Sequence, residues 1–383
     1  MSEYINKLTD SFDAVITCQS GLEPIVAREL KDLGYSDLTQ GRRHVTCRLN
    51  YRDMILLNMS LRTAINILVP VKSFKATDYN MLYFRAKKIH WHKIFGPEQT
   101  YRIDVKGRSA IFKNSQFTIH RIKDAISDTF RKFYHGKRPS IDKREPDIHI
   151  VVHVQGEKVS VSLDSSGIPL FKRGYREQHG EAPLKEDLAA ALLYFMEWDR
   201  KTPVLDPMCG TATILVEAYL MARNIPPNLF RTFAFMNWKN FNTNLYNEVR
   251  NQLMARIKPL QGVICRGIEK DKNVFHLASN IVDGMDASDF IHIENNDFRN
   301  VKGNFKGYIL VSNPPYGERL EDSDKVVQLY RHLNRFLQSH GPFLKTGILS
   351  SSMKAMEKIN SSLKDKINLY NGPIKAQFRI YNG

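Results

Sequence analysis

Apolar and polar residues alternate with two different periods along the first part of the chain. Tyr101, Ile103 and Val105 alternate with charged residues, which predicts a half-exposed strand. Between residues 116 and 134 the apolar side chains recur at helical spacing, and the opposite face carries arginine and lysine. Shorter segments of both kinds precede these two, and His44–Leu49 is one of the predicted strands. The pattern predicts a compact α+β arrangement.

The later part of the chain follows another pattern, in which short apolar runs alternate with helical segments. Such alternation predicts strand–helix–strand units and an open α/β sheet. The last two runs are joined by Asn371-Gly372, a turn signal that predicts a strand–turn–strand pair at the end. The predicted strands are 204–206, 263–268, 291–296, 308–311, 345–349, 367–370 and 376–381.

The fourth of these later strands leads directly into Asn313-Pro314-Pro315-Tyr316. The prolines remove two backbone donors and favour extended geometry, so the carbonyls of Asn313 and Pro314 are expected to point outward. The Asn313 side-chain oxygen and the Pro314 carbonyl can each accept one hydrogen of an exocyclic NH₂ group, and Tyr316 can stack on the ring that carries it. A plain proline-rich turn explains the motif equally well unless a cofactor site lies nearby.

The loop after the first later strand supplies such a site. Asp206 ends the strand, Gly210 allows a ligand to approach the backbone closely, and Thr211 and Thr213 offer hydrogen bonds. The loop matches neither a dinucleotide fingerprint nor a phosphate loop with its lysine. A cofactor with an amino acid moiety and no phosphate therefore fits it better than a nucleotide phosphate does.

Two acids follow the next two strands. Glu269 ends the second strand, where a carboxylate can accept hydrogen bonds from both ribose hydroxyls. Asp297 follows the third strand, where its side chain could accept a hydrogen bond from an adenine amino group. Either acid alone would be interpreted as an ordinary exposed loop residue.

Charge and cysteine content limit the possible partners and compartment. The formal net charge is +16, and residues 51–150 contribute +11 of it, from 20 Lys/Arg against 9 Asp/Glu. This predicts binding of a polyanion, with folded RNA as the best candidate and a solvated basic face as the alternative. The four cysteines lack zinc-type spacing, no run approaches the roughly 20 apolar residues of a membrane span, and the N-terminus lacks a signal-peptide pattern. We therefore expect a cytoplasmic protein with no metal and no membrane contact; the oligomeric state stays open.

Four stretches resemble one group of proteins. They are KRGYREQHGEAPLKEDLAAALL, VLDPMCGTATILVEA, ILVSNPPYGERL and LYNGPIKAQF. With the basic N-terminal part, they resemble class I S-adenosylmethionine-dependent methyltransferases that carry an N-terminal THUMP domain, similar to the large-subunit ribosomal RNA guanine-N2 methyltransferases of the RlmL type. The resemblance implies a seven-stranded Rossmann-like methyltransferase domain preceded by an α+β ferredoxin-like/THUMP RNA-binding region. The implied domains are 1–60 (ferredoxin-like), 61–165 (THUMP-type) and 166–383 (methyltransferase).

The resemblance also implies roles for individual residues. The loop beneath the methionine part of S-adenosyl-L-methionine corresponds to Asp206, Cys209, Gly210, Thr211 and Thr213. Glu269 corresponds to the ribose acid, Asp297 to the adenine-side acid, and Asn313, Pro314, Pro315 and Tyr316 to the amine-positioning motif, with Asn313 also next to the cofactor.

Two departures from the family pattern stand out. Ala212 replaces a glycine that is usual in the loop, so an added methyl group is expected to shift the helix start or narrow the pocket. Some relatives continue into a second methyltransferase domain, whereas this sequence stops after one, so a second modification is expected from another protein.

The predicted function is methylation of a guanine N2 amine in 23S ribosomal RNA. Three alternatives remain. A protein glutamine methyltransferase is compatible with the motif, but the basic region would then lack a purpose. An adenine-N6 methyltransferase acting on DNA or RNA would use the same motif on the same type of amine, although the basic platform argues against DNA. A non-catalytic RNA-binding protein with a degenerate cofactor pocket is the alternative from another class, and Ala212 is its only support.

Overall fold

The computed structural model describes residues 10–175, 184–259, 262, 265–315 and 323–383. Within these ranges the chain forms two β-sheets, one of eight strands and one of seven. The eight-stranded sheet belongs to the first half of the chain, and the seven-stranded sheet to the second. No helix of the described ranges is long and apolar enough to cross a membrane.

The first sheet has the strand order β2-β3-β1-β4-β8-β7-β5-β6. Its central strand, β4, is 12 residues long and pairs antiparallel with β1 on one side and β8 on the other. The sheet therefore continues across residue 60, the predicted boundary between the first two domains. The strands are β1 (Phe12–Cys18), β2 (Leu38–Gly41), β3 (His44–Leu49), β4 (Ala64–Lys75), β5 (Thr100–Arg108), β6 (Ser140–Ile141), β7 (Ile148–Gln155) and β8 (Lys158–Asp164).

The helices of the first half cover this sheet with their apolar faces. In the longest of them, Asn114 caps the N-terminus by accepting a hydrogen bond from the backbone of Phe117, and Ile122, Ile126 and Phe130 are buried. The opposite face of this helix is basic, as the sequence predicted. The helices are α1 (Glu23–Asp32), α2 (Tyr51–Ser60), α3 (Tyr79–Lys87), α4 (Trp91–Ile94) and α5 (Ser115–Phe133).

The second sheet has the order β11-β10-β9-β12-β13-β15-β14. The first five strands in this order are parallel, and β15 is antiparallel between β13 and β14. The seven-stranded Rossmann-like sheet with an antiparallel last strand is confirmed. The strands are β9 (Val204–Asp206), β10 (Cys265–Glu269), β11 (Ile291–Asn295), β12 (Ile309–Ser312), β13 (Lys345–Ser350), β14 (Leu363–Asn371) and β15 (Ile374–Asn382).

Helices cover the faces of this second sheet. The helix predicted to open at Pro183 begins at Glu186, and Pro183 itself lies outside the described residues. The helices are α6 (Glu186–Phe195), α7 (Thr213–Ala222), α8 (Thr243–Met254), α9 (Lys272–Gly284), α10 (Ser323–His340) and α11 (Met353–Met356), with short 3₁₀ turns at Ala234–Asn237 and Phe298–Asn300.

A buried polar seam joins the two halves of the chain. Arg62 donates hydrogen bonds to the carbonyl of Leu220, in the last turn of α7, at 3.2 Å and to that of Ile225, after the helix, at 2.7 Å. Arg173 donates to the Arg62 carbonyl and forms an ion pair with Glu217 of α7 at 3.3 Å. The side chains of Arg173 and Glu217 are 1% and 0% exposed, so this pair is shielded from water. Arg62, Arg173 and Glu217, together with their hydrogen-bond partners, form this seam.

Candidate active site

A pocket of about 720 Å³ opens at the carboxyl ends of the parallel strands. It lies where the chain order of the strands reverses, because β9 is followed by β10 on one side and has β12 on the other. Open α/β sheets bind their ligands at such a switch point. The pocket is lined by the loop after β9, the ends of β10 and β12, the segment after β11, one face of α10 and the β14–β15 turn.

Asp206 lies at the base of this pocket and is 2% exposed. Its Oδ1 accepts hydrogen bonds from the Ser312 hydroxyl at 2.7 Å and the Met208 backbone at 3.1 Å. Burial raises the pKa of Asp206 to about 7, and the negative charge of Glu269 adds to the rise. The carboxyl group therefore titrates near neutral pH.

Small residues allow the loop after β9 to lie directly on β10. The Cys209 backbone donates to the Ile268 carbonyl at 3.0 Å, and a Cβ atom on Gly267 would lie 2.8 Å from Cys209 Sγ. Gly210 has φ +55° and donates its N–H to Glu269 Oε2 at 3.0 Å. Gly267 was not predicted as part of the site; the close approach of the two segments is a tertiary feature.

Ala212 is the N-cap of α7 and adopts the left-handed conformation, with φ +60° and ψ 22°. It is fully buried in the core and does not line the pocket. The Ala212 methyl group therefore does not narrow the pocket, and the narrowing expected from the sequence is not found. Its effect is backbone strain, since a left-handed L-residue costs roughly 1–2 kcal/mol.

Glu269 and Thr211 line the same pocket. Besides Gly210, the Glu269 carboxylate accepts the backbone N–H of Asp271 at 2.8 Å. A carboxylate offers about four lone-pair sites, so acceptor capacity remains for two hydroxyl groups. The hydroxyls of Thr211 and Thr213 lie 3.5 Å apart at the start of α7.

Asp297 also lines the pocket, but Arg299 holds its carboxylate. Arg299 donates from Nε at 2.8 Å, from its backbone N–H at 3.0 Å and from Nη2 to the second oxygen. Hydrogen bonds from the Arg299 side chain lower the pKa of Asp297. The predicted adenine-side acid is therefore ionised and fixed in orientation.

Asn313, Pro314 and Pro315 close the pocket at the end of β12. Asn313 Oδ1 is buried, and within the described part of the chain it has no hydrogen-bond partner. Buried acceptors are normally paired, so an unpaired one on a residue that lines a pocket suits a donor from a ligand. Tyr316, the fourth member of the motif, lies outside the described residues.

The structure thus brings all the described candidate residues into one pocket, while the role of each stays a prediction. It adds residues that the sequence analysis missed, from one face of α10 and from the β14–β15 turn. Positions 325, 328, 329 and 332 have helical spacing, which was the only sequence signal for the α10 face. These additional lining residues are Lys325, Gln328, Leu329, His332, Asn371 and Ile374. Among the described residues, no cluster of His, Cys, Asp and Glu could hold a metal ion.

The strand order, the pocket at the switch point and the loop after β9, with its left-handed residues Gly210 and Ala212, define a Rossmann-like domain of the class I methyltransferase type. The chain belongs to the family of RMKL-like methyltransferase domains, which it matches over residues 173–379. Residues 76–164 match the THUMP domain, and residues 13–68 match the RlmL ferredoxin-like domain. The predicted methyltransferase family and the THUMP-type region are confirmed.

Full-length relatives agree with this family. A ribosomal RNA large subunit methyltransferase K/L from Methylococcus capsulatus is 32% identical over 379 residues, which is 97% of this chain and 51% of that protein. The chain thus spans about half the length of the curated relatives it matches.

Two solved structures are similar over nearly the whole chain. SMU.472, described as a candidate methyltransferase complexed with SAH, has 26% identity and a TM-score of 0.87 over 98% of this chain and 99% of its own. A protein from Listeria monocytogenes, described as a predicted N6-adenine-specific DNA methylase, has the same identity and TM-score, over 98% of this chain and 97% of its own.

Proposed function

We propose that the chain transfers a methyl group from S-adenosyl-L-methionine to the exocyclic N2 amine of a guanine in large-subunit (23S) ribosomal RNA. The observation that carries the proposal is the buried Oδ1 of Asn313, which has no hydrogen-bond partner among the described residues and belongs to a residue that lines the same pocket as Asp206, Gly210 and Glu269. The full-length relatives named as ribosomal RNA large subunit methyltransferases support the substrate class.

The pocket suits this cofactor on chemical grounds. The loop 207–213 carries no lysine or arginine, so it offers no cation for a pyrophosphate. Glu269 keeps acceptor capacity for ribose hydroxyls, and the ionised Asp297 is an acceptor for the adenine side. When bound, S-adenosyl-L-methionine supplies an electrophilic methyl group on its sulfonium.

The chain's own contribution is to orient the amine. Asn313 Oδ1 and the Pro314 carbonyl would each accept one N–H of the target NH₂ group, which leaves the nitrogen lone pair free for attack. As the amine develops positive charge, the same two oxygens stabilise it without reorganising. Tyr316 would stack on the guanine, and the base would have to leave its RNA stack to reach it.

The first half of the chain would bind the RNA. On this proposal residues 1–60 form the ferredoxin-like domain, residues 61–165 the THUMP-type domain and residues 166–383 the methyltransferase domain. The excess charge in residues 51–150 supports phosphate contacts. We place the protein in the cytoplasm, because all four cysteines are unpaired, buried thiols that fit a reducing compartment.

An adenine-N6 specificity is the second candidate, since the Listeria relative is described as an adenine-specific DNA methylase. Both candidates predict methyl transfer to an amine, so the product nucleoside separates them. Protein-free 23S ribosomal RNA from cells lacking the enzyme, and duplex DNA as the comparison, would be incubated with labelled cofactor and digested. N2-methylguanosine from RNA alone supports the proposal; N6-methyladenosine, or transfer to DNA, contradicts it.

A further inference from the structure

The segment His90–His92 and the last turn of α5 form an exposed aromatic and basic surface. Trp91 is fully buried and donates its indole N–H to the Ala86 carbonyl at 3.0 Å, which anchors α4 to the end of α3. The rings of His92 and Phe133 are stacked, with centroids 3.7 Å apart and planes 18° apart. Nevertheless, Phe133 remains 48% exposed. A large apolar ring is thus held rigidly at the surface by a second ring beneath it.

Positive charge surrounds this ring. Lys93, Lys132, Lys137 and Arg138 are exposed, and the Lys132 ammonium lies 5.9 Å from the centre of the Phe133 ring. Lys137 also forms an ion pair with Glu98, with 3.5 Å between the ammonium nitrogen and the carboxylate oxygen. The stacking face is defined here as His90, His92, Lys93, Lys132, Phe133, Lys137, Arg138 and Lys239.

Lys239 extends the stacking face into the methyltransferase half. Its ammonium donates to the His92 carbonyl at 2.8 Å and to the Tyr134 hydroxyl at 2.7 Å. Its backbone N–H donates to the Ile94 carbonyl at 3.0 Å. A ligand on this face would therefore contact both halves of the chain at a rigid junction.

His92 behaves as a neutral aromatic ring. Burial lowers its pKa, and the nearby His90, Lys93 and Lys239 lower it further. The stack of His92 and Phe133 is therefore uncharged at neutral pH, and the cations lie around it. Uncharged rings within a basic rim form the arrangement that binds single-stranded nucleic acid, because every base has a π-face and every nucleotide a phosphate.

We propose that the stacking face binds an unpaired segment of RNA, with one base stacked on Phe133 and the flanking phosphates contacted by Lys93, Lys132 and Lys137. The proposal rests on the proposed function in one respect, namely that the bound RNA is also the methylation substrate. A base-paired duplex is a poor occupant because its bases are stacked on one another and present only their edges.

Phe84 provides a matched control on the same half of the chain. It is more exposed than Phe133, at 62%, but it meets Tyr83 edge-on, with planes 74° apart. The neighbouring Lys87 ammonium donates to the Tyr83 hydroxyl and lies 3.6 Å from Asp128. Phe84 therefore tests the effect of an exposed phenylalanine that lies near a lysine but has no second ring stacked parallel to it.

The test measures binding of the full chain, without cofactor, to a fluorescent oligouridine of about 12 nucleotides and to a fully paired RNA duplex. Phe133→Ala should weaken binding to the oligouridine by about 5- to 150-fold, the range expected when one base stack is removed. Binding to the duplex should change by less than about 2-fold, because no charge is removed. Phe133→Trp should bind the oligouridine about as well as the original chain, and Phe84→Ala should have little effect.

Salt dependence separates the ring from the cations. For the oligouridine, Phe133→Ala should leave the slope of log K against log salt unchanged. The double variant Lys132→Ala/Lys137→Ala should reduce that slope by about 0.7 for each phosphate that is no longer neutralised. Thermal unfolding of each variant tests whether the fold persists, as expected because the four altered side chains, Phe84, Lys132, Phe133 and Lys137, are exposed.

Several outcomes would overturn the proposal. The first is that Phe133→Ala binds the oligouridine as tightly as the original chain does. The second is that Phe84→Ala loses as much oligouridine affinity as Phe133→Ala. The third is that the chain binds anionic lipid vesicles or an acidic peptide, in place of RNA, in a way that depends on Phe133. Failure of the proposed function is seen separately: a chain that binds oligouridine through Phe133 but yields no N2-methylguanosine leaves the stacking face intact and refutes the substrate assignment.

Discussion

The Ser312 hydroxyl donates a 2.7 Å hydrogen bond to Asp206 Oδ1, and both residues are almost completely buried. Asp206 begins the proposed cofactor loop, and Ser312 immediately precedes Asn313. One hydrogen bond therefore connects the two parts of the site that must be aligned for methyl transfer.

Replacing Ser312 with alanine should reduce cofactor affinity as well as stability. Above about pH 7 the bond is made to an ionised carboxylate, and a hydrogen bond to a charged group contributes about 1.5–3 kcal/mol. Calorimetric binding of S-adenosyl-L-methionine measures the first effect and urea unfolding the second. Ser350→Ala is the control, because Ser350 is equally buried at the end of β13 and accepts a hydrogen bond from Ser352 outside the pocket. Wild-type cofactor affinity in Ser312→Ala would contradict this interpretation.

Asp206→Asn should remove a pH-dependent part of the stability. The folded-state pKa of Asp206 is raised from 3.8 to about 7, so the folded chain binds the proton more tightly than the unfolded chain does. This stabilisation is complete below about pH 4 and is lost as the pH rises through 7. By linkage it amounts to roughly 4 kcal/mol at most. The asparagine variant lacks this effect. Its free energy of unfolding should therefore rise relative to that of the wild type as the pH increases from 4 to 7.

Asp142→Asn provides the control of opposite sign. Hydrogen bonds from the backbone N–H groups of Arg144 and Glu145 lower the pKa of Asp142. Its stabilisation is therefore present above the unfolded pKa and is lost as the pH falls through the folded one. A constant difference between Asp206→Asn and wild type from pH 4 to 8 would show that Asp206 is not protonated in the folded chain.

Ala212→Gly should stabilise the chain by roughly 0.5–1 kcal/mol. Glycine relieves the left-handed strain, and part of that gain is offset by the greater freedom of glycine in the unfolded chain. Cofactor affinity should stay the same, because Ala212 does not line the pocket. Ala218→Gly, in the middle of α7, should instead destabilise the chain by about 1 kcal/mol or more. Thermal unfolding should show a higher melting temperature for Ala212→Gly and a lower one for Ala218→Gly than for the wild type.

Asn313→Ala should reduce single-turnover methyl transfer by on the order of 10²–10³, the usual effect of removing one preorganised interaction with the transition state. Cofactor affinity should be nearly unchanged, since Asn313 is proposed to hold the amine. Asn296→Ala is the matched control: it lines the same pocket, but its amide donates to Glu294. If Asn313→Ala transfers methyl at the wild-type rate, the motif is only a turn.

Glu269→Ala should weaken cofactor binding by roughly 1–3 kcal/mol, as expected when hydrogen bonds to a ligand are removed. It also removes the acceptor for the Gly210 and Asp271 backbones, so the loop after β9 should become less ordered. Glu294→Ala, at the exposed end of the neighbouring strand β11, should bind as wild type. Equal calorimetric affinity in Glu269→Ala and Glu294→Ala would remove Glu269 from the site.

Local sequence pattern predicted most of the fold. β3 begins and ends where it was predicted, and β9 does too, because short alternating or apolar runs bounded by turn residues leave few choices. Helix α10 was missed although Val326, Tyr330 and Leu333 have helical spacing and are buried. The proline-rich motif before it is a turn signal, and a turn signal does not indicate where a following helix begins.

The candidate site was predicted less completely, for tertiary reasons. Residue type and strand order were sufficient to bring Asp206, Glu269 and Asn313 to one pocket. Neither could indicate that Arg299 holds the Asp297 carboxylate, since that interaction depends on the 3₁₀ turn after β11. Nor could they show which face of α10 forms a wall of the pocket, because packing sets the rotation of a helix.

The seam between the halves restricts how one half of this chain can be combined with the other half of a relative. Arg62 donates to the carbonyls of Leu220 and Ile225, and its own carbonyl accepts from Arg173, so separating the halves would leave the buried Arg62 guanidinium without these acceptors. A chimera that takes its first half from a relative would have to import matching residues on both sides of this junction. The first half is thus fitted to its own second half, and it should not be exchangeable as an independent domain.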